Sequence, residues 1–208
     1  MKIKVNQFVG RHSPAAHGGL YSISNPSMDI IDFSSNVNPL GCHPGVKKFL
    51  KKQLKFISTY PDSDSSNLRS NLKWYTGLNE SQILIGNGAT EIIYNFTKAF
   101  LNEKTSVLIP IPTFTEYEKA SQLSGCKINF HKTFNLNDDI DDFLKKIPKS
   151  GAVFVCNPNN PTGVLTKKSN MIKIIKNAQK KSSLVFVDET SVSYTHLRAH
   201  QTDSYLVC

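Results

Sequence analysis

Ala152-Val153-Phe154-Val155-Cys156-Asn157-Pro158-Asn159-Asn160-Pro161-Thr162-Gly163 is the stretch on which the fold turns. Five apolar residues in a row, bounded by turn formers, read as a strand buried on both faces, the kind a parallel sheet contains. The run then breaks into a polar loop stiffened by two prolines. Its Asn side chains can bond either backbone or a ligand, although the same residues also make an ordinary proline turn. Around this stretch the pattern repeats. Further strands are expected at 83–85, 106–109, 127–131 and 184–187, with helices at 89–100, 114–124, 140–146 and 166–181. Such alternation predicts βαβ units: an α/β, three-layer αβα sandwich with a mostly parallel sheet. Ligands in these sheets sit at the carboxyl ends of strands, and the polar signatures of this chain fall there.

The remaining sequence bounds the reading. With 208 residues, 39% hydrophobic and 20% charged, composition is that of a globular chain with a sizeable core. The net charge of +9 comes largely from lysines in helix-like stretches, such as Lys47, Lys48, Lys51 and Lys52. These read as solvated faces, and no arginine cluster or aromatic–basic interleaving suggests a nucleic-acid partner. Cys42, Cys126, Cys156 and Cys208 form no CxxC pair, so neither a zinc site nor a redox motif is expected. A reduced, cytoplasmic setting follows, without a signal peptide or a membrane span. Residues 1–44 read as an N-terminal arm of extended segments and turns. A helix over 45–55 follows, with Val46, Phe49, Leu50 and Leu54 on one face, and another over 66–75 is ended by Gly77.

Two further constellations carry chemistry. Gly86-Asn87-Gly88-Ala89-Thr90-Glu91 stands where a strand is expected to end and a helix to begin. Glycines let backbone approach an anion, and the first helical turn offers free N–H groups and a favourable dipole. This is a phosphate cradle, unlike a P-loop and unlike GxGxxG; a tight turn capped by Thr90 uses the same residues. The second is Val185-Phe186-Val187-Asp188-Glu189. A carboxylate at a buried strand end is costly without a positive partner, and a pyridinium nitrogen is one such partner. A helix N-cap is the alternative for Asp188.

In order and spacing, these three stretches resemble the aspartate-aminotransferase-like superfamily of fold type I pyridoxal-phosphate enzymes. The resemblance runs from about residue 18 to 190. It implies that Gly88, Ala89 and Thr90 bind the phosphate of pyridoxal 5'-phosphate, Asn160 its ring hydroxyl and Asp188 its ring nitrogen. Phe114 stands where the family stacks an aromatic ring on the cofactor. Tyr60, in Tyr60-Pro61-Asp62, matches a tyrosine that reaches the neighbouring subunit's cofactor, which implies a homodimer. Two more motifs, His17-Gly18-Gly19 and Asp32-Phe33-Ser34-Ser35-Asn36-Val37-Asn38-Pro39-Leu40-Gly41, resemble the threonine-phosphate decarboxylase family of cobalamin synthesis. This implies a small phosphorylated amino-acid substrate contacted by His17, Gly18, Asn36 and Asn160. The related histidinol-phosphate aminotransferases share an Asn-x-Asn-Pro stretch and are the alternative, as is a catalytically dead module that holds a phospho-ligand. A large domain over 45–190 is expected.

One departure from the family stands at the end. After Asp188-Glu189-Thr190, residues 191–208 follow neither a helical nor a strand period, and no lysine follows Lys181. The reading is therefore a non-native tail from residue 191, an absent C-terminal small domain, and no cofactor-bearing lysine, hence no activity in the chain as written.

Overall fold

The structure, a computed structural model, describes residues 7–15, 17–19, 22–24, 29–38, 40–191 and 206–207. It divides into two compact units, one of residues 1–15 with 86–208 and one of residues 16–85.

The first unit is built on a parallel sheet of β1 (Ser106–Ile111), β2 (Lys127–Lys132), β3 (Ala152–Cys156), β4 (Leu184–Asp188) and the two-residue β5 (Leu206–Val207). Their order is β2-β1-β3-β4-β5, all pairs parallel. Side-chain alternation along the strands distributes the core. Val107, Ile109, Ala152, Phe154 and Phe186 pack with Ile93 and Phe96 of α4 (Gly88–Phe100) and with Tyr117 and Ala120 of α5 (Glu116–Ser124). Leu108, Val153, Val155, Val185 and Val187 face the other way, onto Ile140 and Phe143 of α6 (Ile140–Lys146) and Met171, Ile174 and Ala178 of α7 (Lys168–Lys180). Both faces are thus covered, and the expected three layers are present. β3 is buried along its whole length.

Some differences from the expected elements have local causes. Residues 83–85 are not a strand: a 3-10 turn at Glu80–Gln82 precedes them and Leu84 is 69% exposed. A strand needs a neighbour to take its N–H and C=O groups, and the described residues offer 83–85 none. Within the stretch expected to be an arm, α1 (Gln7–Arg11) is helical; the Phe8 ring sits against Gly125, and Lys119 Nζ donates to Ser13 Oγ at 3.1 Å. α7 starts at Lys168 rather than 166 because the backbone N–H groups of Thr166 and Lys167 are tied to Asn157 Oδ1 and Asn137 Oδ1, both at 2.8 Å.

The second unit holds α2 (Pro44–Gln53), a 3-10 turn at Leu54–Phe56, α3 (Ser66–Thr76) and the turn at Glu80–Gln82. Arg69 donates from Nε and Nη2 to the Glu80 carbonyl at 3.2 and 2.6 Å, fastening α3 to that turn. Neither α2 nor α3 has a buried residue. No described helix is long and apolar enough to cross a membrane. The tail expected from residue 191 lies mostly outside the described residues.

Candidate functional site

In the sheet order the chain steps from β1 to β2 on one side and then to β3 on the other. β1 and β3 therefore flank the switch point, where open α/β sheets leave a crevice at their carboxyl ends. The pairing there is short. Val107 pairs with Ala152 and Leu108 with Val153, and beyond that the two strands part. Asn159 bridges the gap: its Nδ2 donates to the Pro112 carbonyl at 3.0 Å and to Thr162 Oγ1 at 2.9 Å, and its Oδ1 accepts from Thr113 Oγ1 at 2.7 Å. A cavity of about 20 Å³ lies in the parting, lined by Pro110, Pro112, Val155, Cys156 and Asn159 among others. It has room for about one water, and neither Asp188 nor the glycine turn lines it.

Asp188 ends β4 opposite Cys156 and is only 4% exposed. Tyr117 Oη donates to its Oδ2 at 2.7 Å, while the N–H and hydroxyl of Thr190 donate to Oδ1 at 2.9 and 2.6 Å. Three donors occupy three of the roughly four acceptor positions a carboxylate offers. Among the described residues no Lys, Arg or His forms an ion pair with it. A buried carboxylate with acceptor capacity left and no cation at hand is suited to a protonated ring nitrogen. Burial first, then the nearby Cys156 and Asp188, push the Tyr117 hydroxyl far above its ordinary range, so it donates and does not ionise. Burial and then Asp188 likewise push the Cys156 thiol up to about 11.

Asn160 lies beside this carboxylate through Cys156. The Asn160 N–H donates to Cys156 Sγ at 3.4 Å, and Asn157 N–H donates to the Asp188 carbonyl at 2.8 Å. The Asn160 side-chain amide makes no hydrogen bond among the described residues, in contrast to Asn159. Phe114 packs edge-on against Tyr117, with centroids 5.7 Å apart at 80°. Phe114, Asn160 and Asp188 are therefore brought to one end of the sheet, with Tyr117 and Cys156 between them.

Gly88, Ala89 and Thr90 form the first turn of α4, as expected, although a loop and not a strand leads into it. Gly88 has φ 81°, a conformation that favours glycine, and its N–H turns back to the Gly86 carbonyl at 2.9 Å. The N–H groups of Ala89 and Thr90 have no partner among the described residues. Glu91 accepts from Asn87 N–H and Nδ2, which fixes the turn ahead of the helix. Tyr94, in the middle of α4, donates to Glu116 Oε2 at the start of α5 at 2.7 Å and so ties the two helices together. First-turn N–H groups and an amide without partners among the described residues, and a buried carboxylate with no cation paired to it there, fit a cofactor carrying a phosphate, a ring oxygen and a basic ring nitrogen.

His17, Gly18, Asn36 and Tyr60 belong to the second unit. There the two motifs expected at the substrate are laid on each other. A Cβ on Gly18 would stand 2.2 Å from the Ser34 carbonyl oxygen, so only glycine fits, and Gly19 N–H donates to Ser34 Oγ at 2.7 Å. Asp32 accepts from Ser34 N–H and Oγ and from Ser35 Oγ, which holds its carboxyl below the usual range and closes the turn leading to Asn36. His17 and Asn36 are exposed, and Tyr60 is 97% exposed.

Sequence reasoning missed Tyr117, Cys156 and Asn159 as parts of the site. Cys156 read as part of a buried strand; the available signal for Tyr117 was its place three residues after Phe114, in the turn that opens α5.

Comparisons with known proteins identify the family. The family described as aminotransferase class I and II matches residues 28–195. A histidinol-phosphate aminotransferase of Geobacillus sp. (strain WCH70) is 32% identical over 167 residues, 80% of this chain and 46% of that protein. The crystal structure of the histidinol-phosphate aminotransferase from Clostridium acetobutylicum superimposes with TM-score 0.72 at 30% identity, covering 83% of this chain and 51% of that one. That of L-threonine-O-3-phosphate decarboxylase from Porphyromonas gingivalis gives TM-score 0.63 at 28% identity, over 78% and 47%. The chain thus spans about half the length of the relatives it matches. The three-layer unit built on the parallel sheet is the large-domain fold of fold type I, and the chain belongs to the class I and II aminotransferase family.

Proposed function

We propose that this chain supplies the cofactor-binding part of a pyridoxal-phosphate enzyme that transfers the amino group of a phosphorylated amino compound, as the histidinol-phosphate aminotransferases it resembles are named for. The cofactor is pyridoxal 5'-phosphate. The observation that carries the reading is Asp188, a buried carboxylate with no cationic partner among the described residues, beside the uncommitted amide of Asn160. When bound, the cofactor supplies an electron-withdrawing ring that stabilises negative charge at the substrate carbon. Asp188 holds the proton on that ring's nitrogen, and Asn160 bonds the ring oxygen. The N–H groups of Ala89 and Thr90 hold the phosphate at the positive end of α4. Phe114 offers an apolar face against which the flat ring can pack and which excludes water from it. Exposed Tyr60 suits the role of reaching a neighbouring subunit, so the protein is a homodimer in this reading, and its setting is cytoplasmic.

A second reading, decarboxylation of L-threonine O-3-phosphate to aminopropanol phosphate, is favoured by the joined His17-Gly18-Gly19 and Asp32–Asn36 segments and by the likeness to the Porphyromonas gingivalis enzyme. The two differ in which bond of the substrate is held perpendicular to the ring, a matter of orientation. Assay of the complete gene product separates them. Glutamate formed from histidinol phosphate and 2-oxoglutarate supports the first, and CO₂ from threonine phosphate the second. Neither product would contradict both.

A further inference from the structure

Tyr117 touches two residues assigned to the cofactor. Its ring is stacked on Phe154 at 4.9 Å and 15° and meets Phe114 edge-on, and its hydroxyl donates to Asp188 Oδ2. It is fully buried, and Ser121 Oγ donates to its carbonyl at 2.6 Å. The ring has no room to turn away, so the hydroxyl can serve only Asp188 and the neighbouring Cys156. A donor to one carboxylate oxygen makes that group a poorer proton acceptor. A proton shared between such a carboxylate and a pyridine nitrogen then lies nearer the nitrogen.

Resting on the cofactor reading above, we infer that Tyr117 is a positioning residue: its hydroxyl orients Asp188 and keeps the shared proton on the cofactor's ring nitrogen, while the same ring braces Phe114. No bond forms or breaks at Tyr117; its own proton stays on its oxygen and acts as the donor. This role differs from core packing, because Phe would preserve the stack on Phe154 and the edge contact with Phe114 while losing the donor.

The test uses the purified chain with pyridoxamine 5'-phosphate labelled with ¹⁵N in the ring. This form of the cofactor lacks an aldehyde and cannot condense with surface lysines. The ring-nitrogen chemical shift reports protonation directly. In the wild type the shift is expected at the protonated position. In Tyr117→Phe it moves toward that of neutral pyridine, and affinity falls about tenfold, as expected for one hydrogen bond to a charged group. In an Asp188→Asn background, Tyr117→Phe should change nothing further. A fluorotyrosine at position 117, a stronger donor of nearly the same shape, should leave the nitrogen fully protonated, and it replaces the Phe variant if that chain fails to fold. An unchanged nitrogen shift in Tyr117→Phe, or an equal loss of affinity with and without Asp188, overturns the inference and leaves the cofactor reading standing. Failure of the wild type to bind overturns the reading and the inference with it.

Discussion

Asn159 commits its whole side chain to the protein, and Asn160, the next residue, commits none of its amide among the described residues. That contrast separates a residue that builds the loop from one that is left for a ligand. Asn159→Ala removes the tie across the parted ends of β1 and β3 and leaves Thr113 and the Pro112 carbonyl unpaired. It should lower unfolding free energy by about 1–3 kcal/mol, read as a lower urea midpoint. Asn160→Ala should leave the unfolding free energy within about 0.5 kcal/mol, as substitutions away from structural contacts do. The cysteines separate in the same way. Cys42 is exposed, whereas Cys126 and Cys156 are buried and burial pushes both thiols up. Peptide mapping after iodoacetamide treatment of the native protein at neutral pH should find Cys42 alkylated and Cys126 and Cys156 protected; equal labelling of Cys156 would mean that the end of β3 is open to solvent.

At the scale of elements, α6 ends on a cation borrowed from beyond α7. Lys181 Nζ donates to the carbonyls of Leu144, Lys145 and Ile147 at 3.0, 3.1 and 2.9 Å, where the helix leaves such groups unsatisfied and its dipole favours positive charge. Lys181→Met should cost about 1–3 kcal/mol in thermal or urea unfolding. Most of the sheet was legible in the sequence because β1, β3 and β4 are apolar on both faces, and such runs admit few other structures. Residues 83–85 carry the same composition and form no strand. Composition tells which residues suit a strand, and only tertiary structure provides the neighbour. The proline loop and Asp188 stood out in the sequence because their residue types are expensive or unusual at a buried strand end, and the glycine turn because glycines directly before a helix are unusual. Tyr117 was not, since a Tyr on the apolar face of a short helix looks like packing until β4 places a carboxylate at its hydroxyl. Asn157 and Asn159 were hidden for a similar reason: which of several Asn residues faces inward depends on where β1 ends.

Across the whole molecule, apolar burial is concentrated in the first unit. Its helices and strands form two apolar clusters, one on each face of the sheet, whereas α2 and α3 of the second unit bury no residue. Native-state hydrogen exchange should therefore be slowest in β1, β3 and β4, and faster by orders of magnitude in α2 and α3; equal protection would show a burial of those helices that the described residues lack. The central claim is that one end of the sheet in this unit grips a single flat cofactor by its phosphate, its ring oxygen and its ring nitrogen. Calorimetric titration of the purified chain with pyridoxamine 5'-phosphate tests it most directly. Saturable binding at one site per chain is expected, weakened about 10- to 100-fold by Asp188→Asn, with both proteins giving the same circular dichroism. An absence of saturable binding, or an affinity unmoved by the loss of the Asp188 charge, would contradict it.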